Sequence, residues 1–285
     1  MDMSIIAGAR LRERPFEYAA NGVTVVLKSG RGVGATGQVD GDNSGKIYTA
    51  VNETQLRAII NEGDANTDLT GFCTTLVTNM EGTQPDLEVI PFINVDSNQN
   101  ISSWDVSNVT TMRRMFKNTT AFNQPLNNWD VGNVTDMSGM FTSSIFNQPL
   151  NNWDVSNVTD MTNMFFEASS FNQPLNNWDV SSVNSIRNMF LESNSFNQPL
   201  NSWDVSSVTN MVGVFSGTTA FNQPLDNWDV RNVTNMNLMF AIAEAFNQDL
   251  SSWCVTDIAN EPVNFDTGAD AWVLANSRPI WGTCP

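Results

Sequence analysis

Apolar and polar residues recur with a fixed beat through the C-terminal two-thirds of the chain. Trp104, Trp129, Trp153, Trp178, Trp203, Trp228 and Trp253 are spaced 25, 24, 25, 25, 25 and 25. Phe-Asn-Gln-Pro-Leu begins at Phe122, Phe146, Phe171, Phe196 and Phe221, and returns as Phe-Asn-Gln-Asp-Leu at Phe246. The one short interval is a single deletion between Phe141 and Phe146, where a loop would absorb it.

The unit from Phe122 to Phe146 shows the layout these positions predict. Leu126, Trp129 and Val131 end in a period-two pair, the mark of a short strand with its core face inward. Val134, Met137, Met140 and Phe141 fall at i, i+3, i+6 and i+7, one face of a short helix. Asn133 with Asp136, and Asn157 with Asp160, resemble capping boxes that start it. Phe-Asn-Gln-Pro then ends the helix, because proline cannot continue one.

One unit alone cannot bury Trp, Leu, Val, Met and two Phe side chains, whereas stacked units bury them in continuous ladders. Strands of adjacent units would lie ~4.8 Å apart in a parallel sheet. The expected fold is a repeat solenoid, leucine-rich-repeat-like, each unit a short parallel strand plus a short helix. A parallel β-helix is the runner-up, disfavoured by the helical spacing. Leu126-x-x-Trp129-x-Val131-x-Asn133 departs from the leucine-rich signature in having its Asn one residue early.

The Trp-Asp-Val-Ser-Asn-Val-Thr-x-Met-x-x-Met-Phe units joined by Phe-Asn-Gln-Pro-Leu resemble the BspA-type leucine-rich-repeat surface proteins over roughly residues 101–255. Trp253-Cys254-Val255 through Trp281-Gly282-Thr283-Cys284-Pro285 looks like the C-terminal cap of that family. The resemblance implies adhesion or surface recognition and no catalytic residues.

Four regions follow. Residues 1–47 carry a strand at Val23–Leu27 and glycine-rich turns, a small β element suited to attachment or self-assembly. Residues 48–100 form an N-terminal cap, with an amphipathic helix from Glu53 to Glu62 placing Leu56, Ile59 and Ile60 inward. Its degenerate first repeat begins at Leu76-Val77-Thr78-Asn79-Met80. Residues 101–253 are the tandem repeats. Residues 254–285 close the stack with Phe265, Trp272, Val273, Leu274 and Trp281. Cys254 and Cys284 read as a disulfide in this cap, the rival being two reduced buried cysteines; Cys73 reads as a buried hydrophobe.

Composition narrows the function. Of 285 residues, 13 are basic and 30 acidic, for a net charge of −17. Residues 1–100 hold 7 basic and 13 acidic side chains, so the excess of acid is spread over both parts. No basic patch exists to neutralise phosphates, so neither nucleic acid nor an anionic membrane is an expected partner. The chain has no histidine, which removes the commonest general base and transition-metal ligand. No apolar run reaches the ~18 residues of a membrane span, and Met1–Ile6 shows no signal peptide. No enzyme and no organic cofactor are expected.

Several motifs dissolve on inspection. Gly32-x-Gly34-x-x-Gly37 lacks the helix a dinucleotide site needs. Asp40-x-Asp42-x-Ser44 opens like a calcium loop but reaches Val51 where a bidentate Glu is required. The Asn-Val-Thr sequons at Asn108, Asn133, Asn157 and Asn232 are by-products of the repeat. The Asn ladder (Asn123, Asn147, Asn172, Asn197, Asn222, Asn247) is read as stabilising turns from unit to unit.

The Asp ladder is the most informative polar feature. Asp105, Asp130, Asp154, Asp179, Asp204 and Asp229 should point outward along one stripe. Carboxylates ~4.8 Å apart repel by about 0.9 kcal/mol per contact in water. Either backbone N–H groups of the following turn offset this, or bound Ca²⁺ or a basic ligand does. Unit-to-unit variation marks the other candidate binding positions: Arg113, Arg114, Lys117, Phe166, Glu167, Arg187, Leu191, Glu192, Arg231 and Leu238.

The expected function is non-enzymatic recognition or adhesion, presenting a solenoid face to a protein or glycan receptor on a cell or particle surface. The alternative is a fibre, decoration or tail component of a phage or phage-like particle, assembled through residues 1–47.

Overall fold

The computed structural model describes residues 14–42, 44–62, 67–82, 93, 96–273 and 277–285. Met1–Ile6 and Leu274, both used in the sequence reading, lie outside the described residues, as does Asn43 within the Asp40–Gly45 turn.

The N-terminal part is built from β1 (Phe16–Tyr18), β2 (Val25–Leu27), β3 (Thr36–Gly37), β4 (Tyr48–Asn52), helix α1 (Glu53–Glu62) and β5 (Phe72–Leu76). β1 and β2 pair antiparallel; β3 pairs antiparallel with β4, and β4 parallel with β5 across α1. The boundary expected at residue 47 thus falls between two paired strands. α1 starts on a reciprocal cap: Gln55 N–H donates to Asn52 Oδ1 at 3.0 Å and Asn52 N–H to Gln55 Oε1 at 3.3 Å. Its inner face buries Leu56 and Ile60 in the main core. A smaller core joins Phe16, Val25, Val39, Tyr48, Ala50 and Cys73.

The repeats correct the sequence reading. Among the described residues α1 is the only helix, and none of the five strands lies beyond β5. The leucine-rich-repeat-like solenoid of strand-plus-helix units is therefore not what forms; each unit is a string of turns. A single parallel bridge per unit runs along Asn79, Thr111, Asp136, Asp160, Ser185, Asn210 and Asn235.

Backbone hydrogen bonds explain why the expected helix is absent. Met137, Gly139, Phe141 and Ser143 donate not within their own segment but to the carbonyls of Asp160, Thr162, Met164 and Phe166, at 3.0, 2.8, 2.8 and 2.7 Å. Met140, Thr142 and Ser144 instead close turns on the residue three before, each at 3.2 Å. Left-handed backbone at Gly139 (φ 63°) and Ser143 (φ 52°) interrupts any right-handed run. A segment this short, rich in Val, Thr, Ser and Gly, has little helix propensity to oppose this. Asn133 caps nothing: its amide donates to Ser107 O of the preceding unit at 2.6 Å, and Asn157 repeats the contact on Gly132 O at 2.7 Å. Leu126–Val131 likewise forms no strand, although Trp129 and Val131 are buried and Asp130 is exposed.

The core is a set of continuous side-chain columns. Phe116, Phe141, Phe165, Phe190, Phe215 and Phe240 stack with ring centroids 5.3–5.9 Å apart. Each also packs on the Phe of its own Phe-Asn-Gln motif, as Phe165 does on Phe171 at 4.0 Å. Each tryptophan indole reaches back one unit: Trp178 Nε1 donates to Leu150 O at 2.9 Å and Trp203 Nε1 to Leu175 O at 3.0 Å. Asn side chains bind in the same direction, Asn172 N–H donating to Asn147 Oδ1 at 3.0 Å and Asn197 N–H to Asn172 Oδ1 at 3.0 Å. This ladder ends at Asn247, whose buried Oδ1 has no partner among the described residues.

The columns end by turning on edge. Trp272 meets Phe240 and Phe246 at interplanar angles of 72° and 84°, and Trp281 meets Phe265 at 81°. Cys254 and Cys284 are joined by a disulfide in this region, while Cys73 is free and buried. The shortened loop is absorbed locally: Phe146 N–H donates to Ser144 Oγ, where Phe171 N–H donates to Ala168 O.

Replacing Trp178 by Phe removes the indole donor, leaving the Leu150 carbonyl with only its turn bond from Trp153 N–H at 3.1 Å, and takes one ring out of the packed tryptophan column. Guanidinium unfolding should show a loss of about 1–3 kcal/mol; unchanged stability would mean the indole bonds do not hold the units together.

Candidate functional site

The Asp stripe is satisfied from within. Ser156, Ser181 and Ser206 N–H groups donate to Asp154, Asp179 and Asp204 at 3.1, 3.1 and 3.0 Å, and Gly132 N–H to Asp130 at 3.2 Å. Ser156 and Ser181 hydroxyls add bonds of 2.6 Å. Arg231 folds back on Asp229 with contacts of 2.8 and 2.6 Å. Asp105 departs from the expected outward orientation, because β5 lies on its N-terminal side. It is buried and accepts from Thr75 Oγ1 at 2.6 Å and from Ser107. The hydroxyl and N–H of Ser181 hold Asp179 below the usual carboxylate range, and the Arg231 side chain does the same for Asp229. Among the described residues, no group of three or more Cys, Asp or Glu is placed to hold a metal ion. The Asp42 side chain is likewise occupied, by the N–H and hydroxyl of Ser44 at 2.8 Å each.

A second face is shaped by backbone rather than by side chains. Two positions per unit, four residues apart, hold left-handed φ: Arg114 and Asn118, Gly139 and Ser143, Asn163 and Glu167, Asn188 and Glu192, Gly213 and Gly217, Leu238 and Ile242. Their N–H groups donate to the next unit, as Arg114 does to Ser138 O at 3.0 Å and Asn163 to Arg187 O at 2.8 Å. Glycine and Asn suit this geometry; a β-branched residue does not.

On this face lies a groove of about 530 Å³ across the first units. Arg113, Arg114 and Lys117 line one side, and Asp136, Asp160 and Phe166 contribute to the rest. Gly139 keeps it open, since a Cβ there would meet Arg114 Cγ and Thr142 Oγ1 at 3.3 Å each. Arg113 pairs with Glu81 at 3.6 Å. The side chains of Arg114 and Lys117 make no hydrogen bond or ion pair among the described residues. Burial lowers the pKa of Arg114, helped by Arg113 beside it; burial also lowers that of Lys117, helped by Arg114.

The structure therefore divides the basic candidates. Arg113, Arg114 and Lys117 converge on the groove, Arg231 belongs to the Asp stripe, and Arg187 is exposed outside both. Phe166 lines the groove, Glu167 holds the Ser143 hydroxyl at 2.7 Å, and Leu191, Glu192 and Leu238 lie farther along this face. Sequence reasoning missed Asp136 and Asp160 as groove residues by treating them as caps. The available signal was their column, which runs Asp136, Asp160, Ser185, Asn210, Asn235 and so changes character along the stack.

Two outcomes follow. Ile242 is 55% exposed at φ 57°. Ile242→Gly should raise unfolding stability by up to about 1 kcal/mol, the relief of left-handed strain less the entropy cost of glycine; a loss would show that Ile242 packs more than its exposure implies. In the acid range, the lowered Asp179 pKa means the unfolded chain takes up a proton first. This stabilisation is present above about pH 4 and is lost as pH falls through the folded midpoint. Ser181→Ala should raise the Asp179 midpoint in an NMR titration and shrink the acid-dependent loss of stability; an unmoved midpoint would remove the hydroxyl as its cause.

Comparison with known proteins places the repeats. The family model described as "Mycoplasma protein of unknown function, DUF285" matches residues 78–198 and 173–272, together well over half of the chain. No curated protein and no solved structure matches. The chain belongs to this family of Mycoplasma protein of unknown function, DUF285.

Proposed function

We propose that this chain is a non-enzymatic recognition protein displayed at a cell or particle surface, where it engages a protein or glycan receptor. The observation that carries this reading is the groove: in a chain of net charge −17, three of 13 basic side chains gather at one concavity. Arg114 and Lys117 crowd together there, partly buried, and although Glu81, Asp136 and Glu167 attract them, neither side chain is tied into an ion pair among the described residues, so both are available to a ligand. The likeness of the repeats to BspA-type surface proteins supports the surface setting. No helix among the described residues is long and apolar enough to cross a membrane. Catalysis has little to draw on, since the free thiol of Cys73 is buried and burial pushes its pKa up.

The test is retention of the labelled chain on intact cells and on protein and glycan arrays, with bound material recovered and analysed. Saturable retention that weakens with added salt, and recovery of an unaltered ligand, are the expected results. Failure to bind any surface, or chemical conversion of the ligand, would overturn the reading.

A further inference from the structure

The groove is more specific than a patch of positive charge. Asp136 and Asp160 each spend one oxygen on a backbone N–H, from Ser138 and Thr162 at 2.8 Å each. Their second oxygens make no hydrogen bond among the described residues. An occupant must therefore satisfy two opposite demands, an anionic group for Arg114 and Lys117 and hydrogen-bond donors for two carboxylates. Ionised polyphosphates meet the first demand but carry no donors for the second, and acidic peptides offer it only backbone N–H groups, with no hydroxyls beside the carboxylate. Neutral sugars meet only the second.

Sugar acids meet both. Their carboxylate can accept from guanidinium and ammonium groups, and their neutral hydroxyls can donate to Asp136 and Asp160. Half-buried Phe166 offers an apolar surface for the C–H face of a pyranose ring, and Asn163 and Asn188 add amides that both donate and accept. A volume of about 530 Å³ accommodates a short oligosaccharide. We infer that this groove binds an acidic oligosaccharide, with Arg114 and Lys117 holding the sugar carboxylate and Asp136 and Asp160 accepting from ring hydroxyls. This rests on the recognition role proposed above and assigns its ligand class.

The experiment uses the full chain and calorimetric titration with four probes: a trigalacturonate, a sialyl-trisaccharide, neutral lactose and an oligoglutamate peptide. The first two distinguish uronic from sialic acids as the source of the carboxylate. Binding of at least one sugar acid, with no binding of lactose or peptide, is expected. Arg114→Asn and Lys117→Ser should each weaken it about tenfold. Asn keeps the left-handed backbone as Asn163 and Asn188 do, and Ser216 occupies the place of Lys117 in a later unit. Gly139→Asn, which fills the groove floor, should abolish binding, and Arg231→Ser on the other face should leave it unchanged.

Unchanged melting of each variant separates binding from folding. Preference for oligoglutamate, or equal binding by the Gly139→Asn chain, would overturn the inference. Retention on cells without affinity for any sugar acid would overturn it too, while leaving the recognition role standing.

Discussion

A unit of about 25 residues with neither helix nor strand cannot satisfy its own backbone, and this single constraint organises the repeats. Buried N–H and C=O groups must find partners. Here the partners are the equivalent groups of the neighbouring unit, from the Met137 and Gly139 N–H groups to the carbonyl that Trp178 reaches. Burial of Phe, Trp, Met and Val drives the stacking, but hydrogen bonding sets its register. An isolated unit would keep only its own short turns, because the alternate backbone bonds and the indole and Asn bonds all go to its neighbours.

The same constraint shapes the two polar faces. Where the chain needs left-handed backbone to send alternate N–H groups onward, the residues at those positions differ from unit to unit. Glycine at 139 opens a hollow there, Asn at 163 and 188 supplies amides, and Leu238 and Ile242 make the far end apolar. The Asp stripe has no such freedom, since each carboxylate ties down the turn that follows it. Variation thus gathers on the face where it costs least, and there the groove lies.

Much of this was legible in the chain. The Trp, Phe, Met and Val columns are buried because nothing else could be done with so many large apolar side chains per unit. The strand at Val25–Leu27 and the helix from Glu53 follow ordinary local rules. The unit's interior was misread because turns closing on the third residue back, reset every fourth residue by left-handed backbone, return side chains to one side with nearly helical spacing. Gly139, Gly213, Gly217, Asn163 and Asn188 carried the clue in recurring places, but Arg114, Leu238 and Ile242 obscured it. Of the two readings left open for the Asp ladder, the contacts match the turn device, at Asp105 as elsewhere; what the chain did not reveal is that Asp105 is buried, because its neighbour is β5 rather than another repeat. Arg113, Arg114 and Lys117 stood out as variation, whereas the opposite wall could be seen only once adjacent units were in register.

The Asn ladder holds bonds of 2.9–3.0 Å from rung to rung, whether the rungs lie 24 or 25 residues apart. What the fold measures is therefore the distance between rungs, not the count of residues between them. Insertion or loss of a whole unit inside the array would restore the same contacts on either side, so tandem duplication in the gene can change the reach of the molecule without refolding it. Asn247, whose Oδ1 has no partner among the described residues, is the last rung: past it aromatic rings are set on edge, and a further unit would have to be spliced in before that point.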